Sequence, residues 1–239
     1  MALRIAFDLD GVLADMESAL VRQAELLFGE PMTRKLQARA AEGTADTDAT
    51  TRPADAAADP AAPAIHELSM TGRQERRLWL HVQGAENFWQ TLDELEPGVI
   101  ARLSRLAAER RWETIFLTRR PETVGATAQV QTQRWLESKG FALPSVYVVQ
   151  GSRGLIAAAL NLDIVVDDRP ENCLDVVVDS QARALLVWRE DERLLPAAAR
   201  RLGVGVVTSV GESLDILTAL DVPAAAPPGL LDRVKRMLG

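Results

Sequence analysis

Phe7-Asp8-Leu9-Asp10-Gly11-Val12-Leu13 follows the strand-like segment Leu3-Arg4-Ile5-Ala6 and ends it with two acids and a glycine. Residues two apart on a strand project to the same side, so Asp8 and Asp10 face one another's surroundings. Two adjacent carboxylates repel, and the arrangement is costly unless a cation or a proton is shared between them. Gly11 then permits the chain to turn sharply away. A solvated strand end beside a turn would look the same in isolation, so the meaning of the pair depends on the rest of the chain.

From about residue 98 the chain alternates helix-like and strand-like segments. Val99, Leu103 and Leu106 recur at helical spacing, and Thr114-Ile115-Phe116-Leu117 reads as a buried strand ending at Thr118. Pro121 is expected to open a helix reaching about Gly140, before a strand at Val146-Tyr147-Val148-Val149. A helix from about Arg153 to Leu160 precedes a strand at Ile164-Val165-Val166 that ends at Asp167. Further strands are predicted at Ala184–Trp188 and Val204–Val207. Short apolar strands alternating with helices imply an α/β protein with a mostly parallel sheet, covered by helices on both faces. In such sheets sites form outside the carboxyl ends of the strands. Asp8, Thr118 and Asp167 each stand at such an end.

Residues 16–95 break the rhythm, with helical patterns at Leu20 to Phe28 and Arg73 to Val82 and no convincing parallel strand. Within them, residues 38–64 are rich in Ala, Asp, Thr and Pro and offer little apolar surface against ordering entropy, so a mobile loop is expected there. After Pro223 a linker leads to a short amphipathic helix, Leu230 to Leu238. Docking on its own domain is the ordinary reading of that helix, and contacts with a second copy in a homodimer or with a membrane surface are the rival ones.

Composition narrows the chemistry. Among 239 residues there are one cysteine, Cys173, and two histidines, His66 and His81. A zinc site of the His/Cys kind or a Ser-His-Asp triad has almost nothing to draw on. A catalytic metal would need oxygen ligands, which points to a hard cation such as magnesium. Net charge -7 disfavours nucleic acid as a partner, yet a local cation can still hold an anionic small molecule. A single cysteine fits a reducing compartment, and neither a signal-like N-terminus nor a membrane-length apolar run is present, so a soluble cytoplasmic protein is expected.

Asp8-Leu9-Asp10-Gly11-Val12-Leu13 resembles the first signature of the haloacid dehalogenase-like (HAD) superfamily. Phe116-Leu117-Thr118-Arg119 looks like its second signature, and Ile164-Val165-Val166-Asp167-Asp168 like its fourth. The third is usually a lysine; here Gly151-Ser152-Arg153-Gly154 offers Arg153. The likeness covers residues 3–15 and about 96–190. It implies a Rossmann-like, doubly wound core made of residues 1–15 and 96–221, with residues 16–95 as a helical cap inserted after the first signature. It also implies a phosphatase: Asp8 as nucleophile, Asp10 as acid and then base, and Mg2+ held by Asp8, the Asp10 backbone carbonyl and Asp168, with Asp167 assisting. Thr118, Arg119 and Arg153 would contact phosphate oxygens. Dehalogenases carry something other than aspartate at the second position, which argues against carbon–halogen cleavage.

Leu117-Thr118-Arg119-Arg120-Pro121 and Asp167-Asp168-Arg169-Pro170-Glu171-Asn172 look like the 5′(3′)-deoxyribonucleotidase branch, which implies a nucleoside monophosphate as substrate. Arg120 and Arg169 are further candidates for a substrate anion, and Trp79, His81, Phe88 and Trp89 for cap contacts. Sugar phosphates, other small phosphorylated metabolites, and a catalytically silent binding protein on the same fold are the alternatives.

Overall fold

The computed structural model describes residues 2–43, 65 and 67–220. Six parallel strands form one sheet in the order β5-β4-β1-β6-β7-β8. They are β1 (Arg4–Asp8), β4 (Glu113–Thr118), β5 (Ser145–Val148), β6 (Ile164–Asp167), β7 (Arg183–Val187) and β8 (Gly205–Val207). Central strands covered on both faces must be apolar throughout, and β6 is buried at all four positions. The period of two then sorts side chains between two cores. Ile5, Phe7, Phe116 and Val166 join α4 (Val99–Arg110), α5 (Ala128–Ser138) and α9 (Val210–Leu220) on one face. Ala6, Ile115, Leu117 and Val165 meet α6 (Arg153–Ala159), α7 (Pro170–Asp179) and α8 (Ala197–Arg201) on the other. The sheet is doubly wound, as expected.

The insertion leaves and rejoins this core through a two-stranded antiparallel ribbon. In it β2 (Ala14–Asp15) pairs with β3 (Asp93–Glu94), Ala14 opposite Glu94 and Asp15 opposite Asp93. Between them run α1 (Met16–Phe28), α2 (Glu30–Gly43) and α3 (Gly72–Gly84). Asp15 caps α1 by accepting from the Ser18 N–H at 3.0 Å, and Thr71 with Gln74 forms a capping box on α3. Leu20, Leu36, Leu68 and Leu78 pack these helices together and onto the larger core.

Two expectations need correction. Helix α2 takes in residues 38–43, the start of the stretch read as a mobile loop, because its Ala-rich run is a strong helix former and Leu36 anchors it in the core. The remainder, 44–64, lies outside the described residues, as do His66 and the linker and C-terminal helix beyond 220. Pro121 does not start a helix; α5 begins at Ala128, capped by Thr127. The intervening loop passes through Gly125 at φ 104, where a Cβ would meet Asn87 Oδ1 at 2.5 Å. Asn87 itself accepts from the Ala126 N–H and donates its backbone N–H to the Val124 carbonyl, pinning this loop to the insertion. No helix among the described residues is long and apolar enough to cross a membrane.

Candidate active site

Because β1, β4 and β6 are parallel neighbours, their carboxyl ends share one edge of the sheet. Asp8 ends β1, Thr118 ends β4 and Asp167 ends β6, with Asp168 next in the chain. A cleft of about 440 Å³ opens there, lined by Asp8, Asp10, Gly11, Arg153 and Asp168. Arg119, Arg169, Trp188 and the acids Asp15, Glu17 and Glu67 also line it.

Arg153 is set by its helix. Gly154 lets α6 lie against α7 so closely that a Cβ would be 2.1 Å from the Asp175 carbonyl oxygen. Ser152 caps the helix by accepting from the N–H groups of Gly154 and Leu155. Arg153 is thereby aimed between two acids: its Nη2 donates to Asp8 Oδ1 at 2.6 Å, and its Nε lies 3.7 Å from Asp167 Oδ2. Burial lowers the tendency of Arg153 to hold its proton, but Asp8 and Asp167 outweigh that and raise it.

The acids are strained against one another. Burial, with Asp167 and Asp10 adding repulsion and Arg153 opposing, pushes the Asp8 carboxyl up to about 7. Asp168 is pushed well above the usual carboxylate range by burial and then by Asp167 and Asp8. Burial also raises Asp167, against Arg153, the Arg169 N–H and the Asn172 amide. Asn172 Nδ2 donates to both Asp167 oxygens at 3.0 Å, and the Arg169 N–H donates at 2.9 Å. Asp167 is fully buried and braced, whereas Asp168 faces the cleft with a buried Oδ1 that has no hydrogen-bond partner. A hard cation between Asp8 and Asp168 would satisfy that oxygen and relieve the repulsion. Among the described residues no three His, Cys, Asp or Glu side chains form a cage by themselves, so backbone oxygen and water would have to complete the shell.

Several expected contacts fall elsewhere. Thr118, read as a phosphate ligand, is fully buried and donates its hydroxyl to Asp10 Oδ2 at 3.0 Å. Arg120 is buried and does not line the cleft; it also binds Asp10, with Nη2 donating to Oδ1 at 2.7 Å. Arg119 does line the cleft, donating to the Gln150 carbonyl at 2.9 Å. Trp79, Phe88 and Trp89 are buried in the core, and His81 does not reach the cleft. The aromatic side chain that lines it is Trp188, just past β7, with its indole N–H on the Asp191 carbonyl at 3.1 Å. Its place at a strand end was a readable signal.

No family profile and no curated protein sequence matches the chain. Solved structures do. A candidate beta-phosphoglucomutase from Thermotoga maritima matches with a TM-score of 0.54 at 19% identity, covering 91% of this chain and 99% of the other. An L-2-haloacid dehalogenase gives 0.50 at 12% identity, covering 91% of this chain and all of the other, at 100%. The chain shares its fold with these two proteins. On this fold Asp8, Asp10, Arg153 and Asp168 line one cleft at the carboxyl edge of the sheet.

Proposed function

We propose that this chain is a magnesium-dependent phosphomonoester hydrolase working through an aspartyl-phosphate on Asp8. The observation that carries the reading is that Asp8, Asp10, Arg153 and Asp168 line one cleft. Arg153 holds Asp8 Oδ1, which leaves Oδ2 to attack phosphorus. The new Oδ2–P bond forms as the ester P–O bond breaks, and Asp10 gives its proton to the departing oxygen. Asp10 then takes a proton from water as that water attacks phosphorus, releasing phosphate and restoring the Asp8 carboxylate. Asp8, Asp168 and the Asp10 backbone carbonyl would hold magnesium, which supplies charge neutralisation between a carboxylate nucleophile and an anionic ester. Arg153 also offsets charge on the transferring group. Asp167 lies 3.7 Å from Arg153 Nε, too far for a hydrogen bond, and adds charge attraction on the buried side.

The substrate is a small phosphorylated metabolite. Trp188 favours a nucleoside monophosphate, because an indole that lines the cleft and is held by its N–H can stack a flat base. The Asp15, Glu17 and Glu67 carboxylates favour a sugar phosphate instead, as acceptors for hydroxyl groups. Hydrolysis of nucleoside monophosphates and sugar phosphates, with and without magnesium, decides between them. Release of phosphate that needs magnesium and disappears in Asp8→Asn is the expected result. No hydrolysis of any ester, or activity untouched by Asp8→Asn, overturns the proposal.

A further inference from the structure

Arg120 is 1% exposed, and each of its three guanidinium nitrogens donates a hydrogen bond. Its Nε donates to both Asp10 oxygens at 3.0 Å, and its Nη1 donates to Thr132 Oγ1 at 2.9 Å. With the Nη2 contact this makes a planar two-point hold on one carboxylate. The guanidinium carbon lies 4.9 Å from the Trp89 ring centroid and 5.6 Å from that of Trp135. Both indoles are themselves fixed. Trp89 donates its backbone N–H to Gln131 Oε1 at 3.1 Å and its ring N–H to the Pro121 carbonyl at 2.9 Å. Trp135 donates its ring N–H to the Leu92 carbonyl at 2.8 Å.

Burying a guanidinium carries a large desolvation penalty, and an apolar side chain of similar volume often serves folding as well or better. What an apolar group, or a lysine, cannot supply is a rigid planar fork on a carboxylate. Thr118 and Arg120 reach Asp10 from the protein interior, while the Asp10 side chain keeps 9% exposure and lines the cleft. The carboxylate is therefore clamped from behind with one edge left to the cleft.

The geometry points to Arg120 as the positioning residue for Asp10, fixing which edge of that carboxylate meets the ester oxygen. Arg120 touches neither phosphorus nor the leaving group; Trp89, Trp135 and Thr132 hold it so that Asp10 cannot rotate. The inference rests on the proposed role of Asp10 as proton donor to the leaving oxygen. Proton donation matters most when the leaving group is poor, so misplacing Asp10 must cost more for esters of weakly acidic alcohols.

The test is kcat/KM for p-nitrophenyl phosphate and phenyl phosphate with magnesium, in the wild type and in Arg120→Met, Arg120→Lys and Thr132→Val. Arg120→Met should lose at least about tenfold more on phenyl phosphate than on p-nitrophenyl phosphate, with KM within about twofold. Arg120→Lys should recover part of that difference, and Thr132→Val should show a smaller one. If Arg120→Met does not fold, the same contrast is read from Arg120→Lys and Thr132→Val. Equal losses on both esters, or losses confined to KM, overturn the role of Arg120 while leaving the phosphatase reading intact. A wild type that hydrolyses neither ester overturns both together.

Discussion

The Arg153 guanidinium meets the Asp8 carboxylate at 2.6 Å, although the superfamily signature that this chain resembles has lysine there. Arginine fills that place with its Nη2 hydrogen-bonded to the nucleophile and its Nε 3.7 Å from Asp167, close enough for charge attraction but not for a hydrogen bond. Arg153→Ala should lower kcat/KM by about a hundredfold or more, the order found when one charge-stabilising donor is removed. Arg153→Lys should stay within about tenfold of wild type, since the charge is kept. Steady-state kinetics on one ester at saturating magnesium measure both.

Acidity and metal should be linked through the same acids. In the unfolded chain Asp8 titrates near the usual 3.8, whereas in the folded chain it is raised to about 7. Between those values the folded state holds a proton that the unfolded state has lost, so stability falls as pH rises through this window and levels off above it. Asp168 and Asp167 are shifted in the same direction. The Tm of magnesium-free protein should therefore decline from pH 5 to about pH 8. Asp8→Asn should flatten the decline, and magnesium should raise Tm more at the alkaline end than at the acid end. A Tm that climbs with pH in the absence of metal would refute this.

Gly11 and Asp168 compete for one space. Gly11 has φ 85, and a Cβ there would lie 1.9 Å from Asp168 Oδ2. Gly11→Ala should cost about 1–3 kcal/mol in chemical denaturation, from the left-handed backbone and from the displaced carboxylate. It should also weaken magnesium binding by about tenfold in titration calorimetry, because a ligand has been moved. Gly84→Ala makes the control: nothing lies within 4 Å of its Cβ, so neither quantity should change appreciably.

Trp188 gives a direct reading of substrate class. Trp188→Ala should raise KM for nucleoside monophosphates by about tenfold, the scale of one lost base–aromatic stack, and leave KM for sugar phosphates nearly unchanged. The opposite pattern would remove the reason for favouring a nucleotide.

Much of this architecture was legible from local pattern. Strands β1, β4 and β6 are apolar because both their faces are covered, and each delivers a polar residue at its carboxyl end. That is why Asp8, Thr118 and Asp167 could be placed together before any coordinates. Arg119 and Arg120 mark where such reading stops. They are neighbours of one type, yet the first lines the cleft and the second is buried, a difference made by Trp89 and Trp135 arriving from distant parts of the chain. The start of α5 was missed for a related reason: Pro121 is compatible with a first helical turn, but Asn87 holds the following loop from across the insertion.

The five tryptophans are unequally placed, and this gives the cleft an optical handle. Trp79, Trp89, Trp112 and Trp135 are all buried, whereas Trp188 is partly open to solvent at the rim. A collisional quencher such as iodide will therefore dim Trp188 before the others. A ligand seated over that indole shields it, so the protected fraction of the emission reports occupancy of the cleft without any turnover.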